Sequence, residues 1–366
     1  MWNKVRNKIY VLLMAGLLLL FSLWTWCKPA STYSDTERRP LASFPEINME
    51  SILSGDFMSD FESYVTDQFP ARDRFRKLKS FFSSKILGQK DVHDIYIVDE
   101  YASKIEYPLN EDNVERAVWR FQYVYDKYMK DADISTYYAI IPDKNYFLAE
   151  ANGYLSMNYE QLFEIVRNGL NGMKEIVIAD LLSIEDYYKT DSHWRQEQIL
   201  DVSNRILEVM GNNASVEYDL QTLDVPFYGV YAGQSGSTMD FESMLYYTNP
   251  MLENCTVYDY ETDQTGKIYD MDKGHGKDPY ELFLSGPKSL LTIENPNGLS
   301  DKELIIFRDS FGSSMAPLLV EGYAKMTLVD IRYIHPDVLG KYINFENQDV
   351  LFLYSTSVLN NGDTIK

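Results

Sequence analysis

Short β-rich runs alternate with amphipathic helical stretches along most of the chain. That alternation predicts an α/β fold: an open, mostly parallel sheet flanked by helices. Two further observations frame it. A single uncharged apolar run lies near the N-terminus, and residues 212–300 break the alternation with short runs rich in Tyr, Thr, Asp and Gly. The 366 residues allow one large domain or two small ones.

Residues 1–8 carry Lys4, Arg6 and Lys8 and form a short tail, expected to stay inside. Residues 9–26 carry no charge, and 18 residues at 1.5 Å each span about 27 Å, enough to cross a bilayer. Trp24 and Trp26 stand where interfacial aromatics belong, so residues 9–27 are assigned as a transmembrane anchor. A cleaved signal peptide is the rival, but the adjoining WCKPAST offers no small-x-small cleavage site. Either way the rest of the chain is exported, and an extracytoplasmic domain on the cell membrane is expected. Residues 28–90 read as an extended, proline-containing stalk and then juxtamembrane helices, the second of them basic and amphipathic through Leu87.

Residues 91–366 form the α/β domain. A hairpin is expected over 92–107 and a long amphipathic helix over 111–130. Strands are expected at 134–142, 175–180, 303–309, 324–334 and 349–356. Helices are expected at 158–172, 194–210 and 312–322, and residues 212–300 are read as an irregular, partly β insertion. Ligand sites on such sheets lie at the carboxyl ends of the strands.

Composition narrows the chemistry. Lys plus Arg is 34 and Asp plus Glu is 55, a net charge of −21, which repels phosphate backbones and argues against nucleic-acid binding. The 29 tyrosines suit carbohydrate contact but also fill cores. The two cysteines, Cys27 and Cys255, are too differently placed to bridge, and no Cys/His cluster calls for a metal or other cofactor.

Of the four histidines, His193 stands out. It sits in KTDSHWRQEQ, two residues after Asp191 and one before Trp194. The segment reads equally as a capped helix start and as an Asp–His pair in which the carboxylate orients the imidazole as general base. The second candidate is ELIIFRDSFGSSM. There a buried strand delivers Asp309 and Ser310 into a small-residue turn that opens a helix, the layout a nucleophilic serine needs.

Together, DSHW (191–194) and RDSFG (308–312) resemble the DHHW family, related to the AlgX/AlgJ-type polysaccharide O-acetylation proteins of the SGNH hydrolase-like superfamily. ERRPLASFPEI (37–47), DQFPARDRF (67–75), IPDK (141–144), GVYAGQSGS (229–237) and LVDIRYI (328–334) also look like family segments, in family order. The resemblance implies an SGNH-hydrolase-like sheet and a triad of Ser310 as nucleophile, His193 as base and Asp191 as orienter. It implies no cofactor. Arg308 stands where the superfamily motif has Gly, and Ser192 where the family name has His.

The reaction that the resemblance implies is acyl transfer through an acetyl-serine, with O-acetylation of a cell-surface or secreted polysaccharide as the first expectation. A carbohydrate O-acetylesterase and a non-catalytic glycan-binding or assembly subunit are the alternatives. The resemblance also implies a multi-spanning membrane-bound O-acyltransferase as partner. Lys144 and Arg332 are further candidates for substrate or structural roles, and Gly233, Gln234 and Ser235 for oxyanion contacts.

Overall fold

A computed structural model describes residues 2–212 and 216–366 of the chain. They fall into two compact units: Met1–His93 with Ala232–Thr238, and Asp94–Tyr231 with Met239–Lys366.

The smaller unit begins with α1 (Trp2–Cys27), which starts earlier than the uncharged run because helix-forming Arg6 and Lys8 extend it. Its stretch Val5–Cys27 is long and apolar enough to cross a membrane. Residues 28–48 are not a free stalk. Tyr33–Ser34 pairs with Arg39–Pro40, the Gln68 amide clasps both the N–H and C=O of Ser31, and Arg39 forms a two-pronged ion pair with Asp67. The apolar spacing read at 49–88 becomes three helices, α2 (Met49–Ser54), α3 (Asp56–Asp67) and α4 (Arg72–Phe81), the last continued by a π-turn over Phe82–Ile86. Gly55, at φ 89°, ends α2 and opens α3 in the left-handed conformation that side chains resist. Residues 232–238 leave the expected insertion and join this unit.

In the larger unit the chain runs β1 (Ile95–Val98), β2 (Tyr101–Lys104), α5 (Glu111–Tyr128), β3 (Ser135–Ile141), α6 (Lys144–Leu148), α7 (Tyr159–Gly169), β4 (Lys174–Glu175) and α8 (Leu200–Val209). It continues with β5 (Asp219–Phe227), β6 (Glu242–Thr248), β7 (Thr256–Asp259), β8 (Gln264–Gly266), β9 (Leu290–Glu294), β10 (Glu303–Arg308), α9 (Phe311–Leu319), β11 (Lys325–Val329) and β12 (Asp349–Ser355). Among the described residues, the central sheet has eight strands in the order β8-β7-β9-β11-β10-β12-β3-β4. From β11 to β4 every pairing is parallel; β8, β7 and β9 extend the other edge antiparallel.

The middle strands are apolar on both faces, as a covered parallel sheet requires. Leu304, Ile306, Leu351 and Leu353 meet α8 and α9 on one face, while Ile305, Phe307, Val350 and Phe352 meet α5 and α7 on the other. A groove of about 580 Å³ between α5 and α7 is lined by Trp119, Ile165 and acidic and amide side chains.

Two expectations need correction here. The strand read at 175–180 pairs only through Lys174–Glu175 and then turns into a 3-10 helix at Ala179–Leu181, because this is an exposed sheet edge with Val177 in solvent. The region 212–300 is less irregular than expected, since its strands β7 and β9 belong to the central sheet.

Candidate active site

Four neighbouring parallel strands, β11, β10, β12 and β3, end at one edge. There they deliver Asp330–Arg332, Asp309–Ser310, Ser355–Thr356 and Asp143–Lys144 respectively. The serine comes at the turn after β10. The Asp309 carboxylate accepts from the Phe311 N–H (3.0 Å) on one oxygen and from the Ser355 N–H (2.8 Å) and hydroxyl (2.7 Å) on the other. It thereby ties the start of α9 to the end of β12 and leaves Ser310 at the head of the helix. The amides of Phe311, Gly312 and Ser313 are engaged by Asp309 and Ser310. Arg308 is fully buried, and its side chain passes so close to the first turn of α9 that a Cβ on Gly312 would lie 2.6 Å from it. Burial holds the Arg308 guanidinium below its ordinary range.

The structure brings the three motif residues together across 117 positions of sequence. His193 Nε2 lies 2.7 Å from Ser310 Oγ, and His193 Nδ1 lies 2.6 Å from Asp191 Oδ1. A fully buried carboxylate at that distance fixes the imidazole proton on Nδ1 and leaves Nε2 to accept from the serine hydroxyl. Asp191 also accepts from the His193 N–H (3.1 Å) and the Val230 N–H (2.8 Å). The imidazole is stacked on the Tyr280 ring at 3.9 Å, with Phe311 5.1 Å away.

The expected helix at 194–210 starts late, as a 3-10 turn at Gln196–Gln198 and then α8, because Trp194 has another task. Fully buried, it bridges to Tyr187, and its indole N–H donates to Ser314 Oγ (2.8 Å) and the Phe311 carbonyl (3.2 Å). Gln196 donates to the Ser314 carbonyl (2.9 Å), and Tyr280 reaches the same Ser314 hydroxyl (2.8 Å). The loop that carries His193 is thus docked directly onto the helix that carries Ser310.

The same loop is held from its other side. The Lys144 ammonium, 2 % exposed, donates to the carbonyls of Tyr188 (2.7 Å), Lys189 (3.1 Å) and Asp191 (3.0 Å), and the rings of Tyr101 and Tyr231 lie 5.6 Å away. Burial pushes its pKa down to about 7, against the pull of Glu242 and Asp191. Glu242 accepts from the N–H groups of Lys189 (2.7 Å) and Thr190 (2.8 Å) and from the Thr190 hydroxyl (2.6 Å). At Gly229 an added Cβ would meet Thr190 and Asp191 backbone at 2.3 Å, so only glycine fits. Lys144→Met takes this donor from the carbonyls of Tyr188 and Asp191, while the Lys189 carbonyl keeps the Ala102 N–H (2.8 Å). Its expected result is roughly a tenfold loss of ester turnover from a loosened loop, read from steady-state rates.

Lys144 is placed by Asp143, which caps α6 through the Asn145 N–H (2.9 Å) and accepts from the hydroxyls of Tyr159 and Thr356, each at 2.7 Å. Buried Glu106 lies in its field. Burial, and then the charge of Asp143, raise the Glu106 pKa to about 7, with Lys104 opposing. A carboxyl whose folded value exceeds its unfolded value stabilises most below about pH 4.5 and loses that contribution as pH rises through 7. Glu106→Gln is therefore expected to remove a stability loss of roughly 3 kcal/mol between pH 4.5 and 8, measured by denaturant titration at both values.

Arg332 is held by Asp330 in a two-pronged pair (2.7 and 2.9 Å) at the carboxyl end of β11. Gly233, Gln234 and Ser235 belong to the smaller unit. There the Gln234 carbonyl accepts from Arg76 (2.6 Å), Gly233 packs on the Thr36 backbone, and Ser235 Oγ donates to the Ala232 carbonyl. Tyr280, Ser314 and Glu242 were not singled out by the sequence; Tyr280 and Glu242 lie in the segment without periodic pattern, and Ser314 comes after the RDSFG motif without standing apart from it.

No protein-family model matches the sequence, and no curated protein is similar to it by sequence. Solved structures do match. A DHHW family protein from Eubacterium siraeum superposes with a TM-score of 0.59 at 19% identity, covering 74% of this chain and 93% of its own. PatB1 of Bacillus cereus superposes with a TM-score of 0.56 at 17% identity, covering 72% of this chain and 96% of its own. It is also known with a sulfonyl adduct. The chain therefore shares its fold with a DHHW family protein and with PatB1, and it does so over nearly the whole of each.

Proposed function

We propose that the protein is a membrane-anchored, exported serine acyltransferase that O-acetylates a cell-surface or secreted polysaccharide. The observation that carries this reading is the hydrogen-bonded chain Ser310–His193–Asp191, at 2.7 and 2.6 Å. An unassisted serine hydroxyl is a weak nucleophile, and a neutral imidazole on its oxygen is what activates it. Ser310 Oγ attacks the acetyl carbonyl carbon while its proton passes to His193 Nε2. Asp191 stabilises the imidazolium, and the Ser310 N–H at the head of α9 receives the oxyanion. Collapse breaks the bond to the donor oxygen, which departs with the proton from His193 and leaves acetyl-Ser310. A sugar hydroxyl then gives its proton to His193, attacks the acetyl carbon and regenerates Ser310. Arg332, paired with Asp330 at the same sheet edge, is assigned a supporting role there.

The acetyl donor is delivered, in this reading, by a multi-spanning membrane-bound O-acyltransferase, and the anchor raises the effective concentration of the site beside it. The sulfonyl adduct of PatB1, which shares this fold, fits a nucleophile of this kind. The test uses purified protein, p-nitrophenyl acetate and a glycan oligosaccharide acceptor. Acetate release, acetylated oligosaccharide and stoichiometric sulfonyl-fluoride labelling of Ser310 are expected. Release without acetylated sugar would make the protein an esterase, and absence of both turnover and labelling would make it a non-catalytic subunit.

A further inference from the structure

The surface of α4 and its π-turn is amphipathic in the reverse sense for a helix in water. The positions turned into the smaller unit are polar. Arg72 and Arg76 pair with Glu37 (2.5 and 3.2 Å), Arg76 also donates to the Gln234 carbonyl, Ser80 meets Ser237, and Ser83 is buried. The positions turned outward are apolar: Phe75, Leu78, Phe81, Phe82, Ile86 and Leu87 are 43–66% exposed. A helix facing water buries its apolar stripe; one that exposes it over consecutive turns has another solvent.

Charge points to which. Residues 72–90 hold seven Lys and Arg and a single acid, Asp73, in a chain of net charge −21. Arg74, Lys77, Lys79 and Lys85 flank the apolar stripe and are exposed. A third observation fixes the depth. Phe21, in the last two turns of α1, stacks on Phe69 at 5.2 Å and meets Phe75 edge-on at 5.9 Å. The first turn of α4 is thereby fastened to the end of α1 that carries Trp24 and Trp26, the level of a bilayer interface.

We infer that α4 and its π-turn form a membrane-surface paddle. Its apolar stripe lies in the outer interface of the bilayer that α1 crosses, and its basic flanks contact anionic lipid headgroups. The inference rests on the anchor reading for its depth, but not for its chemistry. Basic amphipathic segments bind anionic interfaces whether or not a spanning helix precedes them.

The test reconstitutes the full chain, in a Cys27→Ser background, into vesicles of phosphatidylcholine and phosphatidylglycerol. Spin labels are placed at Leu78→Cys or Phe82→Cys, with Leu13→Cys reporting the anchor and Asp301→Cys an exposed position. Oxygen partitions into lipid and a charged nickel chelate into water. The oxygen-to-nickel accessibility ratio at 78 and 82 is expected to exceed that at 301 several-fold and to fall short of that at 13. It is expected to drop when phosphatidylglycerol is omitted, and in the Lys77→Glu, Lys79→Glu, Lys85→Glu triple variant. Nickel access at 78 and 82 equal to that at 301 overturns the inference while leaving the anchor intact if position 13 stays in lipid. Protection of 78 and 82 from both reagents also overturns it, since a protein then covers the stripe. Position 13 in water with 78 and 82 in lipid overturns the anchor and keeps the paddle.

Discussion

Ser310→Ala is expected to lower turnover of an activated acetyl ester by at least about 10³-fold, and His193→Ala by nearly as much, because the two act as one unit. The double variant should be no slower than either single one. Additive losses would mean that His193 Nε2, 2.7 Å from the hydroxyl, does not take its proton. Asp191→Asn should cost no more than Ser310→Ala. It keeps the shape of the loop but replaces the oxygen that accepts from Nδ1–H with a group that can present either a donor or an acceptor. Single-turnover acetate release separates these outcomes. If Ser310→Ala retains full activity, the nucleophile is elsewhere.

The second large effect is expected at Trp194. This indole is fully buried, and its N–H serves both the Ser314 hydroxyl and the Phe311 carbonyl on α9. Trp194→Ala should destabilise the fold by about 3–5 kcal/mol through the cavity it leaves. Trp194→Phe fills most of that volume but removes the donor. It should cost about 1–2 kcal/mol in stability and still reduce turnover roughly tenfold, because His193, one residue away, loses its tether to the serine helix. Denaturant titrations and ester kinetics on both variants test this. A Phe variant with unchanged kinetics would show that Trp194 fills space and positions nothing.

The parts of this architecture legible in the sequence are those written locally. The runs that became β3, β10 and β12 are apolar on both faces and end in Pro, Asp or Ser, so both their type and their ends could be read. DSHW and RDSFG were legible as motifs, placing His193 and Ser310 on turns beside regular elements. What could not be read was assembly. β7 and β9 join the central sheet through antiparallel partners, and no local pattern encodes which strand a short run will choose. Tyr280 stacks on His193 from a segment with no periodicity of its own. The glycine that matters in GVYAGQSGS proved to be Gly229, pressed against the backbone of Thr190 and Asp191, while Gly233 packs in the smaller unit. A glycine required for close approach looks in sequence like any other. The helix expected from Trp194 onward failed for a related reason. Its first residues satisfied helical spacing, but tertiary contacts with α9 held Trp194 in an extended bridge.

Asp309 has a consequence for how the site breathes. Its two oxygens hold the first amide of α9 and the last amide of β12, a strand with parallel neighbours on both sides. Neither amide can reach solvent while that clasp is closed, and opening it means detaching the end of a central strand. Proton exchange at Phe311 and Ser355 should accordingly run at the slow rate set by disruption of the whole sheet. The imidazole rides on a loop that is itself tied to α9 through Trp194 and Gln196, so histidine and serine are expected to move as one body.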